Sequence, residues 1–251
     1  MALNDTYAID ITDAGFRYPD NVDVSFAHLN LKIKKGDRFG LFGPNGAGKT
    51  TLMNLMTGLL RVDKGSIKLL GYDVSKQNKA VNKLFGFVPQ DFSFYQELSP
   101  AENLEFFGAW SGLSKQQVKQ RTNELLTILG LEDVRDKQVQ KFSGGMKRRV
   151  NLAIGVIHEP LVLFLDEPTV GVDVQTRHAI IDYLKTLNDN GTTLVYTSHQ
   201  LNEAEGLCEQ IALIDDGKII TQGNIHSLLK EHSYENLEGL FLNLTGKEYR
   251  D

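Results

Sequence analysis

Cysteine is almost missing from this 251-residue sequence, with Cys208 the only one. A lone cysteine forms no internal disulfide, so the chain is not a disulfide scaffold and suits a reducing compartment. A basic excess is missing as well. Lysine and arginine number 27 against 32 aspartates and glutamates, a formal net charge of −5, so nucleic acid is not expected as a partner. Long hydrophobic runs are absent too. No uninterrupted apolar run exceeds six residues, even counting glycine and proline, whereas a membrane-spanning helix needs roughly 17–25. The chain is therefore expected not to cross a bilayer by itself. Met1–Asp13 is polar and acid-containing, unlike a secretory signal. The expected location is cytoplasmic, or at a membrane reached through a partner.

What is present is ordinary globular composition, 41% hydrophobic and 24% charged, in a length that suits one large or two small domains. No internal repeat or low-complexity linker interrupts it. Leu29, Leu31 and Ile33 alternate with Asn30, Lys32 and Lys34, the pattern of a half-buried antiparallel strand. Arg38–Phe42 is a short apolar segment entering glycine-rich sequence, and Leu84–Val88 reads as a strand stopped by Pro89. Helical signals follow. Ser99-Pro100-Ala101-Glu102 is a capping box with proline at the first helical position, and Ser114-Lys115-Gln116-Gln117 repeats the box. The second helix is expected to carry Leu125, Ile128 and Leu129 on one face and to stop at Gly130. Strand–helix alternation then returns. Leu161–Leu165 predicts a strand covered on both faces, and Ile180, Ile181, Leu184 and Leu187 form a helical stripe. Thr193–Thr197 is the next strand. Asp216-Gly217 predicts a hairpin between Ile211–Ile214 and Lys218–Thr221, and short helices are expected over Ile225–Leu229 and Leu237–Leu244.

Three motifs carry chemistry. Gly43-Pro44-Asn45-Gly46-Ala47-Gly48-Lys49-Thr50 is a full P-loop pattern between a predicted strand and a predicted helix. Its glycines let backbone N–H groups wrap phosphates, Lys49 can reach the outer phosphates, and Thr50 can ligate magnesium. A glycine-rich turn that binds nothing has the same local look. Second, Asp166 and Glu167 stand at the C-terminal end of the buried strand, where open α/β sheets bind ligands. Asp166 suits magnesium and Glu167 can polarise an attacking water, although exposed acids at a strand end also occur without function. Third, Ser143-Gly144-Gly145 opens a helix and offers N–H donors at its positive end. An N-cap alone explains that triplet equally well, and the following Lys147-Arg148-Arg149 would ordinarily be a solvated helix face.

In this order, with Gln90 after the P-loop and His199 after the last core strand, the motifs resemble the nucleotide-binding subunit of an ATP-binding cassette (ABC) transporter over roughly Tyr7 to Gly223. The resemblance implies an α/β fold: one domain over residues 1–251 with a P-loop NTPase (RecA-like) core and an N-terminal antiparallel β subdomain. An inserted α-helical subdomain is implied at about 91–150 and a short C-terminal helical tail at about 224–251. It implies ATP and Mg2+ as cofactors, with Thr50, Gln90 and Asp166 near the metal and Glu167, His199, Gln90 and Lys49 as catalytic groups. Nucleotide contacts fall to Gly43 through Thr51, with Tyr18 matching the aromatic that stacks on adenine. Ser143, Gly144 and Gly145 match the signature loop that meets the γ-phosphate held by a second subunit, and Asp173 matches the loop crossing that interface. A strand-edge tyrosine, a surface glutamine, a helix cap and a loop histidine are the plainer readings of Tyr18, Gln90, Asp173 and His199.

The partners implied are a second ATP-binding subunit, identical or a paralogue, and membrane permease subunits on the cytoplasmic face. Asp91–Tyr95 and the helix around Phe106, Phe107 and Trp110 would lie near the permease, though Trp110 suits a core equally well. Phe142 and Met146 depart from the usual signature leucine and glutamine, and any amide contact of that glutamine is lost. This variant and the tail Phe241–Gly246 resemble an exporter branch. A soluble ABC-type ATPase acting on ribosome or DNA is the alternative. The 53 positions from Gln90 to Ser143 are too few for a coiled-coil arm, and a second cassette is missing. A GTPase lacks its guanine motif, since neither Asn78-Lys79-Ala80-Val81 nor Asn82-Lys83-Leu84-Phe85 supplies the aspartate.

Overall fold

The computed structural model describes residues 6–19, 25–198 and 201–246. Along the chain run β1 (Tyr7–Arg17), β2 (Ser25–Lys34), β3 (Arg38–Phe42), α1 (Lys49–Met56), β4 (Lys64–Leu69), β5 (Tyr72–Asp73), α2 (Asn78–Val81), β6 (Phe85–Val88), α3 (Pro100–Trp110) and α4 (Lys115–Ile128). Then follow α5 (Gly144–Val156), β7 (Val162–Asp166), α6 (Val174–Asp189), β8 (Thr193–Ser198), α7 (Leu201–Leu207), β9 (Gln210–Asp215), β10 (Lys218–Asn224), α8 (Ile225–His232) and α9 (Leu237–Thr245). The chain divides into two compact units, Met1–Asn82 with Thr193–Asp251, and Lys83–Thr192.

In the first unit, β2-β1-β4-β5 form an antiparallel sheet. Leu29, Leu31 and Ile33 of β2 are buried while Asn30, Lys32 and Lys34 face water, because successive strand side chains point to opposite faces. A second strand group runs in the order β10-β9-β3-β8, with β3 parallel to both β8 and β9. Parallel strands need crossover connections, which places the glycine-rich turn after β3 at a strand's C-terminal end. The β9–β10 hairpin closes on Asp216 and Gly217 at φ 46° and 70°, the positive pair that a two-residue primed turn requires. Helices α8 and α9 begin where Asn224 and Asn236 accept from the N–H groups of Ser227 and Gly239.

In the second unit, β6 and β7 pair in parallel from Phe85↔Val162 to Val88↔Leu165. Val162, Leu163, Phe164 and Leu165 are wholly buried, the burial that a continuous apolar strand predicts. The strand begins one residue late, because Leu161 stands at its entrance, half exposed. Both capping boxes form as the sequence indicates, with Ser99 and Ser114 each accepting from an N3 N–H while Glu102 and Gln117 reach back. One expectation is corrected. Ile128 is 58% exposed, and α4 instead buries Val118, Thr122, Leu125 and Leu126, with Leu129 just beyond it. At ~100° per residue those side chains share an arc of about 100°, and Ile128 lies about 60° outside it.

Candidate functional site

The P-loop forms in the first unit as its sequence requires. Lys49 is the first residue of α1, and Gly48 caps the helix at φ 105° without a side-chain cap. A serine or aspartate there would set a side-chain oxygen over the first N–H groups; glycine sets none, and the positive end of a helix is where phosphate binds. Gly43 is required by proximity, since a Cβ there would lie 2.1 Å from the Ile214 carbonyl oxygen. Lys49 is 6% exposed, and its Nζ donates to the carbonyls of Gly43 at 2.7 Å and Pro44 at 3.2 Å. Pro44 also accepts from the Ala47 N–H, and Ala47 accepts from Gly217 in the hairpin turn, so the loop is braced on two sides. Asn45 and Gly46 are exposed at its tip, and Thr50 faces out on the first turn of α1. Tyr18 stands beside this helix, its hydroxyl 3.3 Å from Thr51 Oγ1 and its ring packed edge-on against Phe16 with centroids 4.8 Å apart.

The acids form in the second unit. Asp166 ends β7 and Glu167 follows it, both buried. Glu167 takes φ 50°, a left-handed conformation uncommon for a residue with a side chain and one that concentrates at functional sites. Gln90 leaves β6 on the exposed loop. Ser143 caps α5, its Oγ accepting from the Met146 N–H at 3.3 Å. This cap uses only the backbone of position 146, so it does not depend on the side chain there. Asp173 caps α6 and accepts from the Thr176 N–H at 2.8 Å and the Thr176 hydroxyl at 2.7 Å; these two bonds hold its carboxyl below the usual carboxylate range. The two helix starts meet, since a Cβ on Gly145 would lie 3.2 Å from Thr176 Oγ1 and 3.6 Å from Asp173 Oδ2. The first unit thus assembles Tyr18 with Gly43–Thr51, and the second assembles Ser143–Gly145 with Asp173 and carries Gln90, Asp166 and Glu167. His199 lies outside the described residues.

The family profile described as ABC transporter matches residues 26–170, which spans the P-loop, the signature turn and both acids. The chain belongs to the ABC transporter family. A linearmycin resistance ATP-binding protein of Bacillus subtilis is 42% identical over 195 residues, covering 78% of this chain and 63% of its own length. A Nod factor export ATP-binding protein of a Rhizobium species is 37% identical over 225 residues, covering 90% and 73%. Among solved structures, an ATP-binding cassette in a dimeric post-hydrolysis state with ADP and phosphate superposes with a TM-score of 0.78 at 25% identity, covering 86% of this chain and 98% of that one.

One feature of this ABC chain departs from what its sequence suggests, and a second decides between two readings that the sequence left open. The basic run after the signature is not a solvated face. Arg148 is 5% exposed, and Arg149 donates through Nη1 to the Leu129 carbonyl at 2.8 Å. The signal was available in the spacing, because Arg148 falls at i, i+3, i+4 and i+7 with Asn151, Leu152 and Gly155 on the buried side of α5. The charge of Lys147-Arg148-Arg149 masked that period. The second feature is aromatic. Trp110 is 82% exposed, so it does not pack in a core. Its ring stacks on Phe106, which packs edge-on against Phe107 and Tyr95, and Asn103 pins Tyr95 by accepting from its N–H and donating to its carbonyl, both at 2.9 Å.

Proposed function

We propose that this chain is the ATP-hydrolysing, energy-coupling subunit of an export transporter, driving a separate membrane permease. The observation that carries the reading is the formed P-loop, with glycine rather than a side-chain cap at the start of α1 and Lys49 held inside the loop. Phosphoryl transfer to water asks little covalent chemistry of a protein; positioning and charge stabilisation do the work. The N–H groups around Gly46–Thr50 receive the ATP phosphates, and Lys49 exchanges its carbonyl partners for outer phosphate oxygens. Thr50 in the first unit and Asp166 in the second each carry a hard oxygen donor of the kind magnesium takes, and these two residues would hold the ion. Mg2+, when bound, neutralises charge building on the phosphate oxygens. Gln90 and Glu167 orient and polarise the attacking water, His199 contacts the γ-phosphate, and Tyr18 offers its ring to adenine.

Ser143 and Gly144 stand exposed at the start of α5, available to the ATP bound by a second copy or a paralogue. Asp173, packed on that turn, faces the same partner. The aromatic surface of Tyr95, Phe106 and Trp110 fits a permease at the cytoplasmic face of the membrane, because buried aromatics dominate interface energetics. The name of the Nod factor relative supports export as the direction. Purified protein should hydrolyse ATP in preference to GTP when magnesium is present. Equal turnover of both nucleotides, or none, overturns the reading.

A further inference from the structure

Arg148 is a buried cation for which the reading above has no use. Its Nη1 donates to the Gln90 carbonyl at 2.7 Å and reaches the Pro89 carbonyl at 3.5 Å, while Nη2 reaches the Val170 carbonyl at 3.4 Å. The guanidinium lies over the Phe92 ring, 4.8 Å from its centroid. Asn151, one turn along α5, donates to the same Pro89 carbonyl at 3.0 Å. Among the described residues no carboxylate lies within ion-pair distance of Arg148. Burying a cation without an ion-pair partner is costly, and a better-packed apolar residue would stabilise the helix more simply. The position is therefore occupied for what the guanidinium does.

What it does is set by what it joins. Pro89 and Gln90 begin the glutamine loop, Val170 ends the turn that starts at Glu167, and Arg148 itself sits five residues beyond Ser143. The Glu167 carbonyl accepts from the Val170 N–H at 3.3 Å, so a hold on Val170 is a hold on the turn that fixes the Glu167 backbone. One planar fork thus spans two loops. Lysine cannot reproduce it, because a single ammonium does not reach diverging carbonyls in fixed directions.

We propose that Arg148 is a positioning residue for hydrolysis, holding the Gln90 loop in register with the Glu167–Val170 turn. The inference rests on the functional reading above. It predicts a loss in the chemical step rather than in nucleotide binding, since the P-loop belongs to the other unit. Arg148→Lys should lower kcat about 10- to 100-fold while KM for ATP changes less than about twofold, the scale of a misplaced reacting group. Burial disfavours the Arg148 charge and the fields of Asp91 and Glu167 offset that only in part; lysine carries the same formal charge, so the substitution chiefly removes the fork geometry.

The deciding measurement is a double-mutant cycle with Gln90→Ala. If Arg148 acts through Gln90, adding Arg148→Lys to Gln90→Ala should lower kcat by no more than about twofold further. Full multiplication of the two losses, or wild-type kcat in Arg148→Lys, overturns the proposal. Fluorescent-nucleotide binding and the melting temperature are read alongside. A variant that fails to fold assigns Arg148 to fold stability alone and also overturns it. Absence of ATP hydrolysis by the wild-type chain is a different outcome and rejects the functional reading itself.

Discussion

At the scale of single residues, the sharpest claims concern charge placed where phosphate would sit. Lys49 is nearly buried and already bonded to two loop carbonyls, so it stands preorganised inside the loop. Lys49→Ala should abolish ATP turnover and weaken nucleotide binding, measured by phosphate release and fluorescent-nucleotide titration; wild-type turnover would sink the site assignment. Tyr18 makes a subtler claim. Its ring meets Phe16 in a T-shaped contact and its hydroxyl lies by Thr51, which sets the ring beside the P-loop helix. A stacking contact is shared by ground and transition states, so Tyr18→Ala should raise KM for ATP several-fold with little change in kcat. Equal losses in kcat and kcat/KM at unchanged affinity would argue against stacking.

At the scale of elements, helix starts and loop anchors set the geometry. The Ser99 capping box begins α3, and Asn103 in the same first turn ties Tyr95 to it. Ser99→Ala should cost about 1 kcal/mol in chemical denaturation, and it should loosen the Tyr95 segment, read as faster amide exchange there. His158, just past α5, has Nε2 2.9 Å from the Phe85 carbonyl oxygen at the start of β6. Burial pushes its pKa below the ordinary 6.5, despite that hydrogen bond. The sign follows from proton counting. Below pH 6.5 the unfolded chain takes up a proton that the folded chain still refuses, so this residue's contribution to stability falls as pH drops from 6.5 to the lower folded value and is constant above. His158→Gln keeps a donor without titrating, so its melting temperature should fall less between pH 7.5 and 5.5 than that of the wild type. Equal falls would show that other groups govern the acid limb.

At the scale of the whole molecule, the proposed mechanism needs two ATP-binding subunits, two copies for the purified chain, because each ATP is to be met by the Ser143 turn of a partner. Specific activity of dilute wild-type protein should therefore rise with protein concentration. Glu167→Gln removes the water-polarising carboxylate and leaves Lys49, Thr50 and Asp166 in place. It should bind ATP, hydrolyse it very slowly, and run as a dimer on size exclusion only with ATP and magnesium. A ligand that favours the dimer shifts that equilibrium by its differential affinity. Adding Ser143→Arg should block dimer formation. A Glu167→Gln chain that stays monomeric at every accessible concentration would contradict nucleotide-driven pairing of the isolated subunit.

Much of this protein is fixed by local sequence. The P-loop, both capping boxes, the Asp216-Gly217 hairpin and the buried run Val162–Leu165 each follow from backbone preference and period, which act over a few residues and leave direct marks. Strand alternation likewise marked the half-buried face of β2. Other features were decided by packing between distant segments. Ile128 reads as core and is exposed, because only the partner face of α4 selects which apolar residues are covered. Arg148 reads as solvent-facing and is buried, because the carbonyls that hold it belong to residues 22 and about 60 positions away in sequence. Trp110 reads equally well either way, and the fold leaves it in water. Period and propensity are properties of a segment, whereas the partner of a buried charge or an apolar face is a property of the assembled chain.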